Sequence, residues 1–529
     1  MRAPNTLARR GRLVVGIAVL AIAIPGPTLG AAGSGSAKPA TSSYVTDKPA
    51  YVVSNGTVDG LTIKPLINSG ETAFGTLFEG IPDGIGVVPA QGPHTYVDLY
   101  VNHEQSPVPF GGFADYNNSS VSRVRVDTAT QEIIGLDVAL SPDEGFIRFC
   151  SSFMAGPEQG FPHYTLITSE ESNDPLTVPA GAVYGADPAY GGLNVRQAGY
   201  SVTLDTANGK LNVLSNAGRH NHENQVIVPG GWNGIFSLSG DDTFTFPSTT
   251  VRPNLSQMYM FSTQNWKTFQ KDEGALWAFR VTGTGGAAID PANPFNGAND
   301  FLDMSLTSDW SGEFIPVPQD VAQGSNSSVL PQDALEDWSN ANNVFQFVRI
   351  EDIAYDPDNT RTVYFTDTGN TRLADAGNGR RYRGSSGAAT NGRIFKMVLN
   401  ADDPTKVDSF SILADADVLG MRHPDNVAVS HNSVMIQEDV EGDATVWMYS
   451  LSDQTWTKVA HATQSKAETS GIIDVSRWFG DGWWALDVQS HVNLDSAPAI
   501  YTNPVTGVQT AYTARRENGQ LLLMYVPGS

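Results

Sequence analysis

At 529 residues, 40% of them hydrophobic, the chain is long enough for one large core or two ordinary ones. Its 52 glycines and 31 prolines supply many turns and speak for a β-rich fold rather than a helical one. With 56 acidic against 32 basic residues and a net charge of −24, it repels nucleic acid and anionic membranes, and its one cysteine, Cys150, excludes an intrachain disulfide.

Residues 1–32 read as an export signal. Arg2, Arg9, Arg10 and Arg12 precede an apolar run from Leu13 to Ile24, and small residues follow at Gly30, Ala31 and Ala32. That run is shorter than the roughly 20 residues a membrane-spanning helix requires. The Arg9-Arg10 pair suits either a twin-arginine signal or an ordinary secretory one. The signal carries four arginines and no acids, so its removal leaves a mature charge near −28. Residues 33–45 are expected to be a flexible tail and 46–529 a single domain, exported to the periplasm or the medium and monomeric.

Along that domain one unit recurs: an alternating β-prone run, a short turn, then a second run. Val124-Arg125-Val126-Asp127 leads through Thr128–Thr130 to Glu132-Ile133-Ile134, and Tyr200–Leu204 through Asp205–Gly209 to Leu211-Asn212-Val213. Ala275–Val281, Arg393–Leu399 and Thr445–Leu451 end in comparable Asp, Asn or Gly turns. Irregular repetition with loops between the units predicts an all-β fold, a β-propeller with long inter-blade insertions, the alternative being an array of β-sandwiches. The run Leu521–Val526 is placed to close a ring against an early strand. Segments 283–300 and 375–392 read as exposed loops, the second carrying Arg380, Arg381 and Arg383 as a solvated patch or an anion-steering one.

Acidic residues gather beside turns at the ends of these runs. They include Glu104, Glu170-Glu171, Glu223, Asp241-Asp242, Glu351-Asp352, Asp425, Glu438-Asp439 and Glu468. In a propeller such positions converge on the central channel, where unpaired carboxylates repel and raise one another's pKa until cations neutralise them. Hard divalent or trivalent ions prefer oxygen donors. The alternative is a set of surface turns. Histidine is scarce at 9, and no His-x-x-x-His zinc site, EF-hand loop, Gly-x-Ser-x-Gly elbow or phosphate loop is present, which disfavours zinc, serine-hydrolase and nucleotide-driven chemistry. Cys150, after the apolar run Phe146–Phe149, reads on its own as a small core residue.

The order of several segments resembles the PhoX-type alkaline phosphatase family. Pro82-Asp83-Gly84-Ile85-Gly86 and Tyr100-Val101-Asn102-His103-Glu104 look like that family's opening, and Gly218-Arg219-His220-Asn221-His222-Glu223 with Gly240-Asp241-Asp242 is similar to its next pair. Arg349-Ile350-Glu351-Asp352, Gly392-Arg393-Ile394 and Pro424-Asp425-Asn426 follow in the same order, over roughly residues 75 to 490. The resemblance implies a six-bladed propeller that hydrolyses phosphate monoesters with iron and calcium ions. It makes Cys150 an iron ligand, with Glu170, Glu171, Glu223 and Glu351 as further ligands beside Asp241, Asp425, Glu438, Asp439 and Glu468. Arg349 is the group that would grip the phosphoryl oxygens in two places. The sequence departs from the family where Ile350 replaces a proline, where Ser169 precedes Glu170-Glu171, and where only Gln489-Ser490-His491 stands for a Gln-His-Pro run. A propeller lactonase or esterase with one calcium, and a non-catalytic calcium-stabilised binding propeller, are the competing expectations.

Overall fold

Six antiparallel meanders follow one another along the chain. The computed structural model describes residues 42–529 apart from 91, 93, 244–255, 285–286, 289–302 and 370–390. The export signal, most of the tail and the Arg380, Arg381 and Arg383 patch lie outside the described residues. Within the span expected to be tail, Tyr44 exchanges both backbone hydrogen bonds with Ile133, so pairing starts earlier than its composition suggests.

The first strands of the six meanders are Pro82–Pro89, Phe149–Ala155, His222–Ile227, Ile350–Tyr355, Pro424–Val429 and Ala467–Asp474. Each packs beside the first strand of the next, and the sixth returns to the first. Each also pairs with a second strand: Tyr96–His103, Thr165–Glu170, Ile235–Asp241, Thr362–Asp367, Ser433–Glu438 and Trp483–Thr502. The sixth meander takes its outermost strand from near the other end of the described chain. Thr62–Asn68 pairs antiparallel with Gln509–Tyr525, setting Asn68 opposite Gln520 and Thr62 opposite Tyr525. The expected closure by Leu521–Val526 therefore forms. An added strand, Asp309–Pro316, joins the outer strands of the third and fourth meanders into one large sheet.

The hydrophobic pattern explains the stacking. The second strand Tyr96–His103 is buried on both faces, whereas the more peripheral Lys406–Asp415 alternates buried with exposed positions. Both faces of an inner strand are buried because each meander is sandwiched between two others. Accordingly, a separate core fills each gap: Leu99 and Val124 with Leu521 and Leu523, Tyr100 with Val202, Ile167 with Ile227, Tyr364 with Trp447, and Val459 with Trp484. The gap between the third and fourth meanders holds Phe279, Phe347, Phe365, Phe395 and Phe410, where Phe395 stacks on Phe365 and Phe410 at 5.1 and 5.4 Å. Truncating one such ring to alanine costs about 3–5 kcal/mol.

An insertion before the fourth meander carries the helix Pro331–Ala341, opened by a proline at its first turn. Among the described residues no helix is long and apolar enough to cross a membrane.

Candidate metal centre

Every pairing of a first strand with its second strand slips once, directly after the first pair in five of them and in mid-strand in the sixth. The register shifts between Pro82 and Ile85, Phe149 and Ser152, His222 and Gln225, Ile350 and Ile353, Pro424 and Val427, and Ser470 and Ile472. A β-bulge inserts an extra residue and re-aims a side chain. Five of these bulges hold Asp83-Gly84, Cys150-Ser151, Glu223-Asn224, Glu351-Asp352 and Asp425-Asn426, a ligand-type residue followed by a small or short polar one. The backbone crowds here: a Cβ on Gly84 would lie 2.3 Å from the Ser152 nitrogen.

The bulges bring ligand atoms together in three linked groups, each with its atoms within 4.8 Å of one another. Asp83, Glu104 and Cys150 form one, Cys150, Glu171 and Glu223 the next, and Glu223, Glu351 and Asp425 the third. Cys150 and Glu223 are shared, so the groups make one continuous cluster.

The second strands supply the remaining acids, and here strand parity decides. Each ends in a residue paired across the bulge: His103, Glu170, Asp241, Asp367 and Glu438 stand opposite Pro82, Phe149, His222, Ile350 and Pro424. These side chains turn into the protein and are satisfied there. Glu170 receives both ends of the buried Arg196 guanidinium at 2.6 Å and the backbone N–H groups of Ile147 and Tyr200. Asp241 accepts from the Thr243 hydroxyl at 2.6 Å and the Gln332 amide at 3.2 Å. Glu438 accepts from the Trp447 indole, the Arg422 side chain and two backbone N–H groups. The residue after each points the other way: Glu104 and Glu171 join the cluster, and Asp242 and Asp439 flank it.

Thus the structure gathers Cys150, Glu171, Glu223, Glu351 and Asp425 from the sequence-predicted ligands. It sets Glu170, Asp241 and Glu438 apart in protein hydrogen bonds. Asp439 and Glu468 lie at the edge, hydrogen-bonded to each other, with His491 3.6 Å from Glu468. Glu104, one of the strand-end acids expected to converge, joins the cluster, and so does Asp83, whose segment carried only the family resemblance. For Asp83 the recurring pair of an acid or thiol before Gly, Ser, Asn or Asp was the available signal.

Burial, followed by neighbouring charge, sets the electrostatics. Glu171, Glu223, Glu351 and Asp425 are held well above the usual carboxylate range, first by burial and then by Glu104, Glu351, Asp242 and Asp439 respectively. Asp83 is pushed up to about 7 by burial and by Glu104. The Cys150 thiol, 3.3 Å from Asp83, rises through burial and that same carboxylate. Burial also acts on Asp439, but the Glu468 hydrogen bond and Arg349 outweigh it and hold this acid low, while Glu468 is pushed up.

Several cluster oxygens are buried with no hydrogen-bond partner: Asp83 Oδ1, Glu223 Oε2 and Asp425 Oδ1. The other Glu223 oxygen accepts from the Ser151 hydroxyl at 2.6 Å, which fixes the carboxylate's orientation. The set offers hard carboxylate oxygens and one softer sulfur, so the residues present fit bound metal cations.

Arg349 is a cation beside this cluster. It sits at φ 67°, its Nε and Nη2 reach the two Asp242 oxygens at 2.9 and 3.1 Å, and Nη2 also lies 2.9 Å from Glu351. Its Nη1 stands 3.6 Å from Asp439. Asp242 thus fixes the plane of the guanidinium, a role invisible from the sequence.

Below the bulges Asn224 donates to Asp352, and Asn426 donates to Ser151 at 3.2 Å, so a polar floor crosses the channel. A cavity of about 590 Å³ lies beyond that floor at the opposite end of the first strands, lined by Met154, Val226, Tyr355 and Val429. It does not touch the carboxylate cluster.

No family model matches the chain, and no curated protein does. Among solved structures it is similar to Pseudomonas fluorescens PhoX in complex with vanadate, a transition state analogue, with a TM-score of 0.55 and 14% identity over 90% of this chain and 97% of that one. The PQQ-bound aldose sugar dehydrogenase from Streptomyces coelicolor matches at a TM-score of 0.33 and 11% identity, over 87% of this chain and 98% of that one. The first likeness shows the fold: a propeller-like β architecture spanning nearly the whole chain.

Proposed function

We propose that this chain is a six-bladed propeller whose carboxylate cluster holds iron and calcium ions and hydrolyses phosphate monoesters, as an exported, monomeric, alkaline phosphatase-like enzyme. The observation that carries the proposal is the continuity of the three ligand groups through Cys150 and Glu223. One thiol and six carboxylates face one small volume, more negative charge than a dianionic substrate could approach without bound cations. Bound metal would supply that positive charge and Lewis acidity at the phosphoryl oxygens. The ring of six meanders supports the blade count, and the likeness to a vanadate-bound phosphatase supports the substrate class.

The chain's own residues have definite tasks under this proposal. Arg349, its plane set by Asp242, orients the phosphoryl oxygens. Ser151 holds Glu223 in a single orientation. The same assignment answers how a protein near −28 receives an anionic ester.

The test is turnover of p-nitrophenyl phosphate, with and without chelator, alongside metal analysis. Iron together with calcium, and a loss of more than about 100-fold in turnover for Cys150→Ser and Glu351→Gln, is the expected outcome, since even outer-shell changes cost 10–100-fold at metal sites. Calcium alone with no turnover would favour a lactonase-like or non-catalytic propeller, and unchanged variants would remove the site assignment.

A further inference from the structure

The residue just before each first strand is tied to its meander in the same way. Its carbonyl accepts a backbone N–H from the second strand or from the residue that follows it. Ile81 accepts from Glu104 at 3.0 Å, Arg148 from Glu171 at 2.9 Å and Asn221 from Asp242 at 2.9 Å. Arg349 accepts from Thr368 at 2.9 Å, His423 from Asp439 at 2.8 Å and Lys466 from His491 at 3.0 Å. These six positions are therefore equivalent round the ring, and four of them carry Arg, His or Lys. Ile81, Arg148, Arg349, His423 and Lys466 all lie at positive φ, from 39° at Ile81 to 67° at Arg349. That region strains any residue but glycine, and such strain collects at binding and active sites, where a fold aims a side chain.

Three of the four basic residues are already engaged. Arg349 is held among Asp242, Glu351 and Asp439, His423 Nδ1 donates to the Thr368 carbonyl at 2.8 Å, and Lys466 stands 3.8 Å from the exposed Glu441. Arg148, two residues before Cys150, is different. It is half-buried, and its own N–H donates to the Gln105 carbonyl at 2.9 Å while its carbonyl holds the Glu171 N–H. Its backbone thus lies between the segments that carry two acids of the cluster, Glu104 and Glu171. Burial raises Glu104, and the charge of Arg148 is the foremost influence pulling it back, so this guanidinium is felt inside the cluster. Yet among the described residues no acid ion-pairs with it and no acceptor takes its side-chain N–H groups.

We propose that Arg148 is a second oxyanion-binding arginine at the metal centre, gripping from the second meander an anion that Arg349 meets from the fourth. The identity of that anion, a phosphate monoester, rests on the phosphatase reading, whereas the position of Arg148 does not. Arg349 spends its donors on three carboxylates. Arg148 keeps a planar fork of N–H donors free, the shape that meets two phosphate oxygens at once.

Arg148→Asn removes the charge with a residue that tolerates the left-handed backbone, and Arg148→Lys keeps the charge without the fork. Metal-loaded wild type and both variants would be compared by calorimetric titration with orthophosphate, by KM and kcat for p-nitrophenyl phosphate, and by metal content per chain. Arg148→Asn should raise the orthophosphate Kd and the KM by about 10- to 100-fold, the loss expected for hydrogen bonds to a charged group. Its metal content should stay at the wild-type level, kcat should change less than KM, and Arg148→Lys should recover part of the affinity. A wild-type Kd and KM in Arg148→Asn would overturn the proposal. So would a loss of metal that accounts for the weaker binding, since Arg148 would then be only a counter-charge to Glu104. Wild-type protein that binds orthophosphate without turning over the ester would remove the phosphatase reading alone, and the Kd of Arg148→Asn would still decide the role of Arg148. Wild-type protein that binds no orthophosphate would overturn both.

Discussion

Glu170 and Glu171 are neighbours in sequence and both are buried, yet they belong to different chemical worlds. Glu170 has a buried arginine on it at 2.6 Å and two backbone donors, whereas Glu171 faces Glu104, Asp242 and Glu223. Asp241 with Asp242, and Glu438 with Asp439, divide along the same line. The first acid of each pair is neutralised or hydrogen-bonded by the protein and holds the sheet together. The second turns toward the cluster: Asp242 and Asp439 meet Arg349 there, whereas Glu171 is left among like charges, a disposition that costs folding energy unless cations enter. Strand alternation, which sends successive side chains to opposite faces, produces both environments from one dipeptide.

Breaking the inward member should have the largest effect on stability. Glu170→Gln leaves the buried Arg196 without its counter-charge, and unfolding in urea should show a loss of about 3–5 kcal/mol with metal content per folded chain unchanged.

The outward set should instead govern pH dependence. In metal-free protein the raised acids bind more protons folded than unfolded, so stability is fullest below their unfolded pKa values and is lost as pH rises through the folded ones. For Asp83, from its ordinary 3.8 to about 7, that window runs from about pH 4 to 7, and the more strongly raised Glu171, Glu223 and Glu351 extend it upward. The Tm of chelated protein should therefore fall between pH 5 and 8, and added metal should reverse the trend by displacing those protons. A chelated Tm that rises over this range would contradict the placement of these acids.

A smaller effect is expected one step back from the cluster. Ser151→Ala removes the hydroxyl that orients Glu223 and should weaken metal binding about 10-fold in a competition titration, with little change in the metal-free melt.

This contrast also marks how far the sequence could be read. Turn-punctuated alternation revealed the β meanders, and the closing role of Leu521–Val526 followed from its apolar run. The acid pairs were legible as pairs, but which member faces the channel depends on register, and a one-residue slip inverts the answer. Glu170, Asp241 and Glu438 therefore looked equivalent to Glu171, Asp242 and Asp439. The bulges were hidden for a related reason, because a bulge is a relation between two strands and only the aligned pairs, from Asp83-Gly84 to Asp425-Asn426, hint at it. Cys150 was ambiguous until the fold set Asp83, Glu171 and Glu223 around its sulfur. Arg349 was visible as a cation near acids, whereas its anchor, Asp242, comes from a different meander about a hundred residues earlier.

The most direct test of the account is metal content per folded chain in Glu171→Gln beside Glu170→Gln, measured by elemental analysis with a parallel thermal melt. The account predicts that Glu171→Gln loses bound metal while its chelated form melts no lower than chelated wild type, and that Glu170→Gln keeps its metal but melts lower. A Glu171→Gln protein with the full wild-type metal complement would contradict it.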